Sequence, residues 1–283
     1  MTGAYRRIHR TRGQGRWFPD GAGPLARVVD GFLDAARPWA KPGEFVGAIA
    51  PHAGYAYSGA IVGQTYRALR DRAQAIETVV VLGFSHQASF SGVALLDGDA
   101  VESPLGLTAL DTDAVDWLVA ASPCFEPNGR PHVGEHSAEN QIPFVQRAVP
   151  KARLVVALFG EHDPATIAAA AEALLQLRQR RRTVVIASTD LLHDSDHARV
   201  ARTDRATLDL LRTMDAAGLA RCWSPGFQVC CGIGPVQTLL RYGRACGCTQ
   251  GDVLGYRNSG DDHPEDPGDW VVGYGSVAYA VGS

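Results

Sequence analysis

Apolar positions along this chain fall into two alternating kinds of run. Short, nearly uninterrupted stretches rich in β-branched residues predict strands at Phe45–Ala50, Thr78–Gly83, Leu154–Phe159, Thr183–Ser188 and Val271–Ala280. Several are apolar at almost every position, as expected for strands buried on both faces. Between them, apolar residues at helical spacing predict helices over Pro24–Ala36, Ala60–Arg70, Ala138–Ala148, Pro164–Arg180, Arg202–Arg212 and Pro235–Arg244. Thr189, Ser58 and Asp163 stand where N-caps or turns are expected. The alternation is that of an α/β fold, with a central, mostly parallel or mixed sheet and helices on both faces. Neither a repeat nor a long linker interrupts it, so residues 1–283 read as a single domain. Residues 1–14 are expected to be a flexible basic segment.

Composition narrows the class. A chain of 283 residues, 46% apolar, is long enough to bury a sizeable core. The net charge of −3 provides no overall basic field, so no nucleic-acid partner is expected. Runs such as VVVLGF and LVVALFG are too short to span a bilayer, so no membrane partner is expected either. The N-terminal arginines (Arg6, Arg7, Arg10, Arg12, Arg16) are followed by no apolar stretch of the kind a secretory signal carries, and the expected location is cytoplasmic. Six cysteines without a CxxC pair predict reduced thiols, with Cys246 and Cys248 structural. The run Arg178–Arg182 reads as a solvated helix end, complementing the helix dipole. The acidic stretch Asp261–Asp269 reads as a surface loop without EF-hand ligand spacing.

The candidate chemistry lies just past the strands. FVGAIA runs into Pro51-His52-Ala53-Gly54-Tyr55, TVVVLGF into Ser85-His86, and TVVIAS into Thr189-Asp190-Leu191-Leu192-His193. In an open parallel sheet, ligands bind outside the carboxyl ends of the strands. His52, His86 and the Asp190/His193 pair are therefore delivered to one edge, as metal ligands or as acid–base groups. Cys231 stands just before a helix start, where the dipole favours the thiolate needed by a metal ligand or a nucleophile. Its alternative is a small buried residue in a tight turn. Glu135 and His136 open a helix and either project into the same cleft or serve capping; Tyr55 lines a pocket or packs in a turn.

These pieces, in this order, resemble the MEMO family, component B of the AmmeMemoRadiSam system. The resemblance runs over nearly the whole chain: GRWFP at 15–19, PHAGYAYSG at 51–59, GFSH at 83–86, EHSAE at 135–139 with IPF at 142–144, STDLLH at 188–193, Cys231-Gly232 with Gly234-Pro235, NSGD at 258–261 and VVGY at 271–274. It implies a fold like that of the class III (LigB-type) extradiol dioxygenases, non-haem iron enzymes that open catechol rings. It also implies a metal centre at His52, His86 and Cys231, with Asp190 and His193 at further motif positions and His193 matching the dioxygenase acid–base histidine. The cofactor implied is Fe(II), with Zn or Cu as alternatives, because a cysteine replaces the carboxylate of the dioxygenase iron site and a thiolate is a softer ligand. Ile233 departs from the CGR sequence frequent in relatives, removing an arginine that would meet an anionic substrate. Three functions follow. One is O2-dependent or redox chemistry on a small aromatic or a modified peptide, with Tyr55, Glu135 and His136 lining the substrate site. The second is a non-enzymatic metal- and peptide-binding scaffold, and the third a hydrolase with Cys231 as nucleophile and His193 and Asp190 behind it. AMMECR1-like and radical SAM proteins are the partners the resemblance implies.

Overall fold

The uninterrupted apolar runs form the middle of the sheet. The computed structural model describes residues 5–73, 76–262, 264 and 269–282. Its strands are β1 (Ile8–Arg10), β2 (Glu44–Ala50), β3 (Thr78–Phe84), β4 (Val93–Leu95), β5 (Ala100–Ser103), β6 (Gly106–Ala109), β7 (Phe125–Pro127), β8 (Arg153–Phe159), β9 (Thr183–Ser188), β10 (His193–Asp194), β11 (Gly251–Asn258) and β12 (Val271–Val281). Its helices are α1 (Ala22–Ala35), α2 (Tyr55–Arg70), α3 (Thr112–Ala121), α4 (His136–Glu139), α5 (Ile142–Ala148), α6 (Pro164–Arg178), α7 (His197–Arg212), α8 (Ala216–Cys222), α9 (Ile233–Ala245) and α10 (Ser259–Asp262).

A nine-stranded sheet runs β10-β12-β2-β9-β3-β8-β4-β7, with β11 pairing β12. Its centre is parallel, β2 against β9, β9 against β3 and β3 against β8, while β12 and β4 join it antiparallel. The sheet is therefore mixed. Alternation along each central strand serves two cores. Val80, Leu82, Val155, Ala157, Val185 and Ala187 pack with α6 and α9 through Ile167, Leu174, Val236 and Leu239. Val79, Val81, Leu154, Val156, Val184 and Ile186 face Leu25 and Val29 of α1, Val62 and Tyr66 of α2, and Ile142 and Phe144 of α5. Each such side chain larger than alanine contributes roughly 1.5–3 kcal/mol on burial, which is why these strands read as solid apolar runs.

The departures from expectation are local. Helix α2 starts at Tyr55 rather than Ala60, directly from the Pro51–Gly54 turn; Ser58 lies inside it and donates to the Ala53 carbonyl at 2.8 Å. The single helix expected over 138–148 is two, α4 and α5, separated at Asn140 and Gln141. Pro143, lacking an N–H, is accommodated in the first turn of α5. Asp163 caps α6, accepting from Thr166 N at 2.7 Å. Thr189 caps nothing; its hydroxyl accepts the Gly232 N–H at 2.8 Å. The N-terminal segment expected to be flexible is a strand at Ile8–Arg10, parallel to β5 in a small β1-β5-β6 sheet. Just beyond it, Arg12 N and Gly13 N donate to the Glu139 carboxylate at 2.8 and 2.6 Å. A three-residue strand has too short a pattern to announce itself. Of the acidic stretch expected to be a loop, Asp261 and Asp262 belong to α10, and residues 263 and 265–268 lie outside the described residues. All six thiols are free. Among the described residues no helix is long and apolar enough to cross a membrane.

Asp204 of α7 ties the end of the sheet together. Fully buried, it accepts from Leu192 N at 3.1 Å and from the Tyr256 hydroxyl at 2.9 Å, and its oxygens leave no room for a Cβ at Gly273 of β12. Burial pushes its carboxyl up to about 6. Because the folded-state value lies above the ordinary one, ionisation is penalised only in the folded protein. The penalty, about 3 kcal/mol, is full above pH ~6 and gone below pH ~4. Asp204→Asn is therefore expected to be more stable than the parent at pH ~7.5, with the advantage shrinking to about 1 kcal/mol by pH ~4.5. Denaturant unfolding of both proteins across that range measures this, and a constant difference would show that Asp204 is ionised without penalty.

Candidate metal centre

Loops leaving three adjacent parallel strands meet at one edge. β2 leads into His52, β3 into His86, and β9 into Thr189 and Asp190. Cys231 joins them from the turn before α9. The donor atoms of His52, His86 and Cys231 all lie within 4.8 Å of one another, and Cys231 Sγ is 3.3 Å from His52 Nε2. His52 and Cys231 are buried, 2% and 8% exposed, whereas the His86 side chain is 31% exposed, so the cluster opens on one side.

Two carboxylates hold these loops. Asp190 Oδ1 accepts the backbone N–H of His52 at 2.8 Å and of Ala53 at 3.2 Å, while its own carbonyl accepts the Cys231 N–H at 3.3 Å. Asp190 thus ties the His52 turn to the Cys231 turn; its Oδ2 stands 3.9 Å from His52 Nε2. Glu135 does the same for His86. Its Oε2 accepts His86 N at 2.7 Å and its Oε1 lies 3.1 Å from His86 Nδ1. Oε1 also accepts Ser137 N at 2.9 Å and lies 3.3 Å from His136 Nδ1. A carboxylate on Nδ1 leaves Nε2 as the donor atom, the usual arrangement around a metal-binding histidine. The approach of α4 to β3 that places Glu135 requires Gly83, where a Cβ would stand 2.6 Å from Ser137 Oγ.

Charge follows from this geometry. Burial pushes the Cys231 thiol up, but the His52 and His86 imidazoles beside it outweigh burial and hold it well below its ordinary value. Burial lowers His52, and the Cys231 and Asp190 charges more than reverse that. Against its own burial, His86 is carried to about 10 by Cys231 and Glu135. Glu135 is kept far below the usual carboxylate range, its burial being overcome by His136 and His86. The centre is a thiolate among imidazoles. Two imidazole nitrogens and a thiolate suit Fe(II), Zn and Cu, and those three donors alone leave coordination positions open.

Other expected site residues fall elsewhere. His136 is near, its ring 5.2 Å from that of His52 and 5.0 Å from that of His86. Glu135, expected to meet substrate, is a buried support for His86. Tyr55, expected to line a substrate pocket or to pack in a turn, is the first residue of α2. It is buried, donates to the Asn140 carbonyl at 2.7 Å, and borders a cavity of about 430 Å³ with Trp17 and Phe18. His193 is exposed at the start of β10, beside Val272 of β12.

Three residues to which the sequence reading assigns no role stand around the cluster. Trp17 stacks on His136 at 4.2 Å and 9°. His162 stacks on Phe84 at 4.2 Å and accepts the Gly234 N–H at 3.2 Å. Ser188 touches His52 Nδ1 at 3.1 Å. The signal for Ser188 was a polar residue closing a buried apolar strand, and for His162 a histidine shortly after a fourth one.

A family model described as Memo-like protein matches residues 10–278. The chain belongs to the Memo family. It is similar to a MEMO1 family protein of Methanopyrus kandleri, 32% identical over 267 residues covering 93% of this chain and 89% of that one. Another, from Methanocaldococcus jannaschii, is 32% identical over 265 residues, 90% of this chain and 88% of the relative. A crystal structure of an uncharacterized protein from Escherichia coli K12 covers 84% of this chain and 100% of its own, with a TM-score of 0.49 at 14% identity. In this Memo-family chain the thiols are unequal: burial raises Cys230 and Cys248, while Cys231 is lowered. Metal-free protein treated with iodoacetamide at pH ~6 is expected to be alkylated at Cys231 before Cys230 and Cys248, and His52→Ala to lose that preference. Peptide mass mapping reads the order; equal labelling of the three would show that Cys231 is not a thiolate.

Proposed function

We propose that this Memo-family protein binds Fe(II) through His52 Nε2, His86 Nε2 and Cys231 Sγ and carries out O2-dependent or redox chemistry on a small aromatic or a modified peptide. The observation supporting this is the convergence of two histidine nitrogens and one thiolate within 4.8 Å at the carboxyl ends of parallel strands, with His86 half open to solvent. Bound there, the iron would supply one-electron redox chemistry and open positions for substrate and O2. The protein's own part is to hold the donors. Asp190 fixes the His52 and Cys231 turns and Glu135 orients His86. His136, held by Glu135 and stacked under Trp17, presents its ring to a substrate beside the ligands. His193, exposed at the same edge, is the proton-transfer group of this reading. Zn or Cu in place of iron is the alternative the thiolate invites. A cytoplasmic setting and AMMECR1-like and radical SAM partners accompany the reading as family expectations.

One observation favours a second reading. Cys231 Sγ at 3.3 Å from His52 Nε2 is also the geometry of a cysteine nucleophile with its base. In such a hydrolase the base is His52, rather than the His193 and Asp190 read from the sequence, and activity persists in strong chelator.

Metal analysis of anaerobically purified protein separates the two. Near-stoichiometric iron in the parent, lost on His52→Ala and on Cys231→Ala, is the expected outcome, and failure to take up Fe(II) on reconstitution sinks the iron reading. His193→Ala is expected to keep its iron while losing substrate-dependent O2 uptake. Loss of the iron as well would make His193 a ligand.

A further inference from the structure

Behind His52, on the side away from Cys231, lies a chain of hydrogen bonds that the ligand set does not use. Gln141 Nε2 is 2.9 Å from the Pro51 carbonyl and 3.1 Å from Ser188 Oγ. Ser188 Oγ is 2.5 Å from the Ser137 carbonyl and 3.1 Å from His52 Nδ1. Gln141 and Ser188 are fully buried and His52 is 2% exposed.

We infer that Ser188 and Gln141 are positioning residues that keep a hydrogen on His52 Nδ1, so that His52 meets a metal ion only through Nε2. The argument is one of donors and acceptors. The Pro51 carbonyl only accepts, so the nitrogen of the Gln141 amide must face it, which fixes the orientation of that amide. Its second hydrogen is then aimed at Ser188 Oγ. The Ser137 carbonyl also only accepts, so the single hydroxyl hydrogen of Ser188 is committed to it. Ser188 Oγ is left with lone pairs alone toward His52, and only a protonated Nδ1 completes the chain. The direction of every bond is thus set by two backbone carbonyls that cannot reverse. The same hydrogen stays on Nδ1 whether Nε2 faces the Cys231 thiolate with a proton or is bare toward a cation.

This inference rests on the metal-centre reading for its consequence, but not for the tautomer. Bonds to the far nitrogen of a metal-binding histidine change metal affinity by about 10–100-fold. Nitrogen-15 NMR of histidine-labelled protein is the first measurement, in the metal-free and the Zn-loaded states. The expected spectrum shows His52 Nδ1 protonated in both, with a slowly exchanging proton that is lost in Ser188→Ala. Optical titration with Co(II) is the second, with Kd rising about 10–100-fold in Ser188→Ala and by less in Gln141→Met, whose side chain reaches the His52 ring only through Ser188. An unprotonated His52 Nδ1 in the parent overturns the inference, as does Co(II) affinity unchanged in a folded Ser188→Ala. If Ser188→Ala fails to fold, the parent spectrum and Gln141→Met decide. A parent protein with Nδ1 protonated that takes up neither Zn nor Co(II) upholds the inference and overturns the metal-centre reading alone.

Discussion

Removing a thiolate from water is the constraint around which this site is built. Cys231 is 8% exposed, and an uncompensated charge at that depth costs several kcal/mol. Compensation comes from His52 at 3.3 Å and from His86, residues far from Cys231 in sequence. They meet it because β9 lies between β2 and β3, with Ala50 level with Ser188 and Leu82 level with Ala187. Parallel pairing makes all three strands end at the same edge, so their loops share one small volume. The electrostatics of the centre are therefore a consequence of strand order.

Loops of this kind would wander without something to hold their backbones, and two carboxylates do so. Asp190 and Glu135 each spend oxygens on backbone N–H groups as well as facing an imidazole. Bonds to a charged acceptor are about twice as strong as neutral ones, which suits them to hold turns that carry no regular structure. Their role is to fix where His52, His86 and Cys231 stand. In the same region the unconventional break between α4 and α5 frees Gln141 to reach Pro51 and Ser188, so an apparent imperfection in a helix supplies a support for His52.

The N-terminal segment belongs to the site as well. Glu139 anchors Arg12 and Gly13, and four residues later Trp17 lies flat on His136. Burial carries the Glu139 carboxyl up to about 7 even against those two N–H donors. Like Asp204, it is a buried acid kept at a cost to stability for the sake of a connection, here between the start of the chain and the wall of the cluster.

Five of the six strands of six residues or more, and the α/β class, were legible from hydrophobic pattern, because burial on both faces demands apolar residues at every position. The sixth, β11, was not, because most of its positions are exposed or only partly buried and carry no solid apolar run. The three histidine- and aspartate-bearing loops were legible too, since a parallel strand points its successor loop to a known edge. Short elements such as β1, β4 and β10 were not, because two to four residues carry no period. Nor were the roles of neighbours within a motif. In the run EHSAE, local sequence treats Glu135, His136 and Glu139 alike, whereas the fold turns Glu135 to His86, His136 to Trp17 and Glu139 to Gly13. Tyr55 was drawn toward the site by its place in PHAGY, yet the helix starting there turns its ring into the core. The sequence by itself determined which loops reach the edge, because that depends on pattern along one strand at a time. Only the tertiary structure decided which side chains face the centre and which hold it, because that depends on distances between atoms brought together from opposite ends of the chain.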